Sequence, residues 1–322
     1  MNNNKSNNSP GSPGEGWRES VPARYVLGRY YRMAASGLIP ARWYERRVPP
    51  IEYRTAPEGR LRLEIVSHCW QYSRLLRYQL SSLVKFPPAH LDVTMTVCFS
   101  REDMDTWRLL QRYSALNVPS VTWNWCDLPK EQLFRRAIGR NRAALQSQAD
   151  WVWFTDCDLM FRDSCLDGLA AALQGRRDTL VFPASEWCTP LLDDEHPMLN
   201  PTLHDATTAE ELVVDIDSTL FTERHRTRAT GPLQIVHGDV ARACGYCDAL
   251  PFYQKPADSW CKAYEDRALR WLLGSQGTPL AIPGVFRIRH ASKGRYTGNS
   301  LVSAVRGWLR RVVSGFQERR LR

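Results

Sequence analysis

Residues 150 to 158 read Asp-Trp-Val-Trp-Phe-Thr-Asp-Cys-Asp, and this stretch constrains the fold more than any other in the chain. An apolar run of strand length without polar alternation is buried on both faces, as in a parallel sheet covered by helices. It ends in two carboxylates, Asp156 and Asp158. At that spacing both can reach one divalent cation, directly and through water, because a hard cation takes oxygen ligands. A solvated acidic turn has the same Asp-x-Asp spacing, and it is the position at the end of a buried strand that favours a metal site.

The flanking segments supply the rest of such a sheet. Leu61 to Ser67 reads as a strand, and Tyr72 to Leu83 places Leu75, Leu76, Leu80 and Leu83 at helical spacing. Leu91 to Phe99 alternates and is β-branched, Asp103 to Leu116 is helical, Val121 to Trp125 is a third strand, and Lys130 to Gln148 is one helix. Strands alternating with helices mark a mostly parallel sheet in an α/β fold, where ligands bind at the carboxyl ends of the strands. Farther on, Leu180 to Pro183 and Gly231 to Gly238 have strand character. Between them lies the long acidic segment Glu186 to Thr230, with a strand pair expected around Leu212 to Phe221. Ser259 to Asp266 leads into a helix striped by Leu269, Leu272 and Leu273, which puts Glu265 and Asp266 in its first turn. There the helix dipole favours their ionised forms, and a carboxylate is available to accept a proton. Ile282 to His290 reads as a last strand ending in histidine, and an imidazole completes an oxygen-rich site for Mn2+ better than for Mg2+.

The net charge of +9 over 322 residues is unevenly spread. Residues 17 to 60 carry nine arginines against four acids, residues 287 to 322 carry ten basic side chains against Glu318, and the block between them is net negative. A nucleic-acid groove normally lies on the folded body, so no nucleic-acid partner is expected. Basic ends on an acidic body fit an anionic membrane surface or an acidic partner. The expected organisation is a disordered tail over 1–16, a basic N-terminal arm over 17–60, a catalytic domain over 61–290 and a basic C-terminal helix over 291–322. The catalytic domain divides into halves at 61–160 and 161–290. Whether the arm packs on the body or reaches away from it stays open. No run of about 20 apolar residues is present to span a membrane, and the opening Met1 to Gly16 lacks the pattern of a secretory signal, so a cytoplasmic location is expected. Nine cysteines then read chiefly as small buried thiols. The Cys244-Gly-Tyr-Cys247 pair also has zinc spacing, with His237 and Cys261 able to complete four ligands.

Taken in order, these features resemble the family-two-like glycosyltransferases of the GT-A fold, including relatives with a galactosyltransferase-type carboxyl-terminal half. Gly139-Arg140-Asn141 followed by Ala149 to Asp158 resembles the family's Ala-Arg-Asn segment, hydrophobic strand and Asp-x-Asp motif. Gly238 to Asp248 is similar to its Gly-Gly-Phe-Asp-Glu turn, and Trp260 to Leu269 to its Trp and Glu-Asp motif. The resemblance implies a Rossmann-like, mostly parallel sheet and a metal-dependent inverting enzyme moving a sugar from a nucleotide sugar, expected to be a UDP-sugar, to a hydroxyl of a glycan or lipid-linked acceptor. By position it implies Asp158 and His290, with Asp156, as holders of Mn2+ or Mg2+. Ser67, His68, Arg140, Asn141 and Asp156 are implied on the nucleotide sugar, Trp260 and Asp248 on the acceptor, Asp266 as base and Glu265 as its catalytic neighbour. One departure is Phe99-Ser-Arg-Glu-Asp103, where the family carries an acidic pair that helps hold the nucleoside.

From Leu301 to Phe316, apolar residues at helical spacing alternate with Arg306, Arg310 and Arg311, the pattern of an amphipathic helix. Such a helix docks either on the protein's own core or in an anionic lipid surface, peripheral to the inner face of a membrane. Two rival functions remain. A nucleotidyltransferase shares the sheet and the carboxylates but is expected to have a Gly-rich loop after the first strand, where this chain has Ser67-His-Cys-Trp70. A catalytically silent binding or scaffold protein would have no need for both Asp158 and the Glu265–Asp266 pair.

Overall fold

The computed structural model describes residues 21–199, 209–259 and 264–291. The tail over 1–16, Trp260, Cys261 and the helix expected over 301–316 lie outside the described residues. In chain order the elements are α1 (Val21–Met33), β1 (Leu61–His68), α2 (Ser73–Lys85), β2 (Leu91–Phe99), α3 (Met104–Ser114), β3 (Val121–Asp127), α4 (Lys130–Leu133), α5 (Arg136–Gln146), β4 (Trp151–Phe154) and β5 (Leu159–Phe161). They continue with α6 (Cys165–Leu173), β6 (Leu180–Pro183), β7 (Ser185–Cys188), α7 (Ala209–Leu212), β8 (Thr222–His225), β9 (Gln234–His237), α8 (Gly238–Cys244), α9 (Glu265–Leu272), β10 (Thr278–Leu280) and β11 (Val285–Arg287).

The expected mostly parallel sheet is present. Seven strands run in the order β10-β6-β9-β4-β1-β2-β3, and β9 alone runs against its neighbours β4 and β6. The apolar run of β4 lies beside β1, with Trp151, Val152, Trp153 and Phe154 all buried, so the chain reaches Asp156 from a rigid base. A second sheet of four strands, β5-β11-β7-β8, stands where the first ends. Its β5 begins immediately after Asp158 and pairs antiparallel with β11, the strand that leads to His290.

Three expectations need correction. Lys130 to Gln148 is not one helix. Arg135 leaves the helical region (φ −107°, ψ 87°) and buries its side chain over the Phe252 ring, so α5 starts afresh at Arg136. Leu212 to Phe221 holds no strand pair. Asp217 accepts a hydrogen bond from the Thr219 N–H at 3.0 Å and starts a short 3-10 turn, and the strand follows at β8, which pairs with β7. The last strand is shorter than Ile282 to His290, and His290 pairs with Leu192 in an isolated bridge beyond its end.

The described part of the arm packs on the body. The Tyr31 ring lies 5.8 Å from that of Phe252 and 5.9 Å from that of Tyr253, and Tyr44 lies 5.3 Å from Trp271 of α9. Trp271 Nε1 donates to the Ile39 carbonyl at 2.7 Å, and Arg54 Nη1 donates to Thr179 Oγ1 at 2.8 Å. The arm is therefore a strap across the 161–290 half, fastened next to the helix that carries Glu265 and Asp266.

Candidate active site

The site forms at the carboxyl edge of the central sheet, where β1 and β4 end side by side and the first turns of α5 and α9 converge. Asp156 is nine-tenths buried and is held from two sides. Arg136 Nη1 reaches its Oδ1 at 2.7 Å and Arg140 Nη2 reaches the same oxygen at 3.1 Å. Arg136 also faces Glu265, with Nε 3.9 Å from Oε2. One guanidinium thus lies between the Asp-x-Asp turn and the Glu-Asp pair. Burial works against the charge of Arg136, but Asp156 and Glu265 outweigh it and raise its pKa above the ordinary range.

Glu265 and Asp266 share a helical turn but not an environment. Glu265 is buried, and desolvation pushes its pKa above the ordinary value. Arg136, Arg135 and Arg140 and a hydrogen bond from the Ala137 N–H pull the other way. The Ala137 N–H is available only because the break at Arg135 starts a new helix one residue earlier. Asp266 has a one-third exposed side chain, with Arg270 Nη1 3.6 Å from its Oδ2. A second chain of hydrogen bonds joins the motifs: Arg140 Nη1 donates to the Tyr246 hydroxyl (2.8 Å), that hydroxyl donates to Gln234 Oε1 (3.0 Å), and Gln234 Nε2 donates to the Asp266 carbonyl (3.0 Å).

Residues assigned to the nucleotide sugar divide into two groups. Ser67 and His68 end β1 and face opposite sides of the sheet. Ser67 Oγ and both ring nitrogens of His68 are buried and make no hydrogen bond among the described residues. Desolvation and then Arg140 and Arg136 lower the His68 pKa well below the ordinary value, so the ring is neutral. Arg140 and Asn141 are engaged within the protein. Arg140 is fully buried on Asp156, Thr155 and Tyr246. Asn141 accepts from the Tyr246 N–H at 2.8 Å and donates to Asp248 Oδ1 at 2.8 Å, clipping the Gly245–Asp248 turn to α5. Gly245 is at φ +63°, and a Cβ there would lie 2.1 Å from Asn141 Oδ1, so the turn closes only around glycine. Asp248, assigned to the acceptor, also takes Arg47 Nη1 at 2.9 Å. Asp103, in the segment that departs from the family's acidic pair, caps α3: its Oδ1 accepts from the Thr106 N–H at 3.3 Å and its Oδ2 from the Thr106 hydroxyl at 2.7 Å.

Asp158 and His290 are both buried and lie beyond the same end of the β5–β11 ladder. The Ile288 N–H donates to the Asp158 carbonyl at 2.9 Å, and His290 follows two residues later with its ring 5.1 Å from that of Tyr72. Among the described residues no three His, Cys, Asp or Glu side chains gather closely enough to hold a metal by themselves. A cation here would take Asp158 and His290 from the protein and complete its shell with oxygens from elsewhere, the donor set expected of an ion that also binds phosphate. The Cys244–Cys247 pair provides no zinc site among these residues. Burial pushes the Cys244 thiol up to about 12. His237 is occupied, with Nε2 3.1 Å from the Thr55 carbonyl and Nδ1 accepting from the Asp239 N–H.

Arg136 is the residue that the sequence reading missed. A continuous helix over Lys130 to Gln148 gives it no special place. No capping side chain marks a fresh helix start at Arg136, so local pattern does not single it out.

No curated protein matches the chain by sequence. Among solved structures, the mannosyltransferase PcManGT from Pyrobaculum calidifontis, in complex with GDP-Man and Mn2+, is similar at 15% identity and a TM-score of 0.40, covering 86% of this chain and 68% of that one. S. aureus TarS 1-349 is similar at 14% identity and a TM-score of 0.41, covering 73% of this chain and 62% of that one. Its complex with UDP-GlcNAc matches at 14% identity and a TM-score of 0.41, covering 71% and 59%. The chain thus spans about three fifths of the length of these TarS chains. The family model described as Glycosyl transferase family 2 matches residues 72–232, which is half of the chain and takes in α2 to α6, both carboxylates of the Asp-x-Asp turn and the residues that hold Asp156. It stops short of the Gly238–Asp248 turn and of Glu265 and Asp266. With that match over the sheet edge where the site forms, the chain belongs to glycosyl transferase family 2, the glycosyltransferases of the GT-A fold.

Proposed function

We propose that the chain is a metal-dependent inverting glycosyltransferase that moves a sugar from a nucleotide sugar, a UDP-sugar, to a hydroxyl acceptor in glycan or polysaccharide synthesis. The observation that carries the proposal is the junction at Arg136, which ties the Asp-x-Asp turn to the Glu-Asp pair across the sheet edge. Ser67 and His68 bury polar atoms without partners at that edge, a cost that a bound donor offsets by supplying hydrogen bonds. A neutral imidazole suits a nucleoside, since it offers one donor and one acceptor.

In this mechanism Asp158 and His290 would hold Mn2+ or Mg2+, with Asp156 beside them toward the ribose. When bound, the cation neutralises charge that builds on the departing diphosphate. Arg140 acts by fixing Asp156, and Arg136 adds positive charge beside the same group. The Glu-Asp pair divides the remaining work by environment, since two carboxyls in different surroundings are suited to different roles. Asp266 faces solvent beside Arg270 and takes the proton from the acceptor hydroxyl as it attacks the anomeric carbon. Glu265, buried against Arg136, orients that guanidinium and the acceptor side, and Trp260 stacks on a sugar face. Attack from the face opposite the leaving group inverts the configuration.

The acceptor in this proposal is a glycan or lipid-linked hydroxyl. A cytoplasmic site of action, peripheral to the inner face of a membrane, goes with it and rests on the basic sequence pattern over 301–316.

Thermal unfolding with a panel of nucleoside diphosphates and sugar nucleotides, each with and without Mn2+ or Mg2+, tests the donor half. One nucleotide class should raise the midpoint in a metal-dependent way, and Asp158→Ala should abolish that shift. If no nucleotide shifts it with either metal, the donor site is lost and a silent scaffold becomes the better account. Asp266→Asn should abolish transfer while leaving the donor-induced shift nearly intact. Loss of that shift in a folded variant would remove the base assignment.

A further inference from the structure

Apolar exposure among the described residues is concentrated in one stretch of the chain. Of the ten large hydrophobic side chains that stand well exposed among the described residues, six fall between positions 26 and 53: Val26, Met33, Leu38, Trp43, Ile51 and Tyr53. Leu38 is 72% exposed and Trp43 64%. Exposed Arg29, Arg32, Arg42, Arg46 and Arg47 alternate with them. The acidic residues from 26 to 53 are Glu45, which is buried and bound by Arg47 Nε at 3.0 Å, and the exposed Glu52. The inner face of α1 turns Leu27, Tyr31 and Ala34 to the core, while Val26, Arg29 and Met33, at i, i+3 and i+7, form the outer face.

Single exposed hydrophobic residues are ordinary on a soluble protein. A segment that pairs exposed aliphatic and indole groups with an excess of arginines has the chemistry of the lipid interface, where apolar groups enter the acyl boundary and arginines meet anionic headgroups. We propose that residues 26–53 form a docking surface for an anionic lipid bilayer. A uniformly anionic plane suits this excess of positive charge better than a folded protein partner, whose surface carries both signs. The surface belongs to the packed strap, so docking also fixes the height of α9, and with it Asp266, above the bilayer.

The test is sedimentation of the full chain with vesicles of phosphatidylcholine, alone or with phosphatidylglycerol, at low salt. The wild type should bind the mixed vesicles and not the neutral ones. Leu38→Glu with Trp43→Glu should weaken that binding at least about tenfold, and Arg42→Glu with Arg46→Glu by about twentyfold or more, since each surface arginine contributes roughly fivefold. The donor-induced thermal shift should stay unchanged in both pairs, which separates a failure here from a failure of the proposed activity. Arg310→Glu with Arg311→Glu provides the contrast at the C-terminus. The proposal is overturned if the wild type ignores anionic vesicles, if it binds neutral ones equally, or if the arm variants bind like wild type while the C-terminal pair does not.

Discussion

At the scale of single residues the site turns on how one arginine serves two carboxylates. Arg136 lies 2.7 Å from Asp156 and 3.9 Å from Glu265, and Glu265 already titrates above the ordinary range because it is buried. Arg136→Gln removes the nearest cation from a buried carboxylate, so the pKa of Glu265 rises further and the ionised form is lost at a higher pH. The same substitution removes the charged hydrogen bond from Arg136 Nη1 to Asp156 at 2.7 Å, worth about 1.5–3 kcal/mol, so kcat/KM should fall roughly tenfold to hundredfold. The Glu265 carboxyl, followed by NMR, should titrate at a higher pH in this variant, and Arg136→Lys should restore part of the rate by returning the charge without the planar fork. A Glu265 titration that stays in place in Arg136→Gln would show that Glu265 is not governed by this contact. The carboxylates were legible in the sequence, because an apolar run closing in Asp-x-Asp and an acidic first turn are visible as patterns. Arg136 was not, because its importance comes from a helix start that depends on where Arg135 buries its side chain. Asn141 shows the opposite case. Its neighbourhood was recognisable, yet both ends of its amide are spent on the Gly245–Asp248 turn.

Among the elements, α5 does most to position the site, and its fit against β1 and β2 depends on Gly139. A Cβ there would lie 2.7 Å from Cys98 Sγ, 2.7 Å from His68 Nε2 and 3.1 Å from Leu128 Cδ1. Alanine favours a helix by up to about 1 kcal/mol over glycine, but this overlap is expected to cost about 1–3 kcal/mol. Gly139→Ala should therefore lower the urea midpoint and also weaken the donor-induced thermal shift, because His68 has to move. Stability equal to wild type would mean that the sheet and α5 separate easily and that the close approach has no structural weight. Strands β1 to β4 and β6 were readable from their apolar periodicity, with ends within about two residues of those observed. The reversed direction of β9 was not, since a buried strand reads alike either way. The edge strand β8, with its sequence Thr-Glu-Arg-His, has no apolar face to detect. Its place comes from pairing with β7, a long-range contact that local pattern does not record.

Over the whole molecule, the uneven charge seen in the sequence corresponds to a mechanical arrangement. The basic arm is bound to the acidic body by specific contacts: Thr55 N–H donates to Asp239 at 2.7 Å, Arg47 reaches Asp248, and Arg267 of α9 donates to the Ala35 carbonyl at 3.2 Å. Composition predicted that the ends differ from the body, but not that one end would strap the helix of the Glu-Asp pair. That follows from Tyr31 and Tyr44 reaching aromatic partners more than 200 residues away in the chain. If the strap supports α9, weakening its aromatic clasp should loosen the helix as well as the arm. Tyr31→Ala removes a partly buried ring, for which roughly 2–3 kcal/mol is expected, less than for a fully buried aromatic. Hydrogen exchange should quicken at the α9 amides as well as in α1, and transfer should slow more than donor binding weakens, because the donor-side contacts at Ser67 and His68 are left in place. Faster exchange confined to α1, with α9 protected as in wild type, would make the arm a passenger on the catalytic body and not part of its frame.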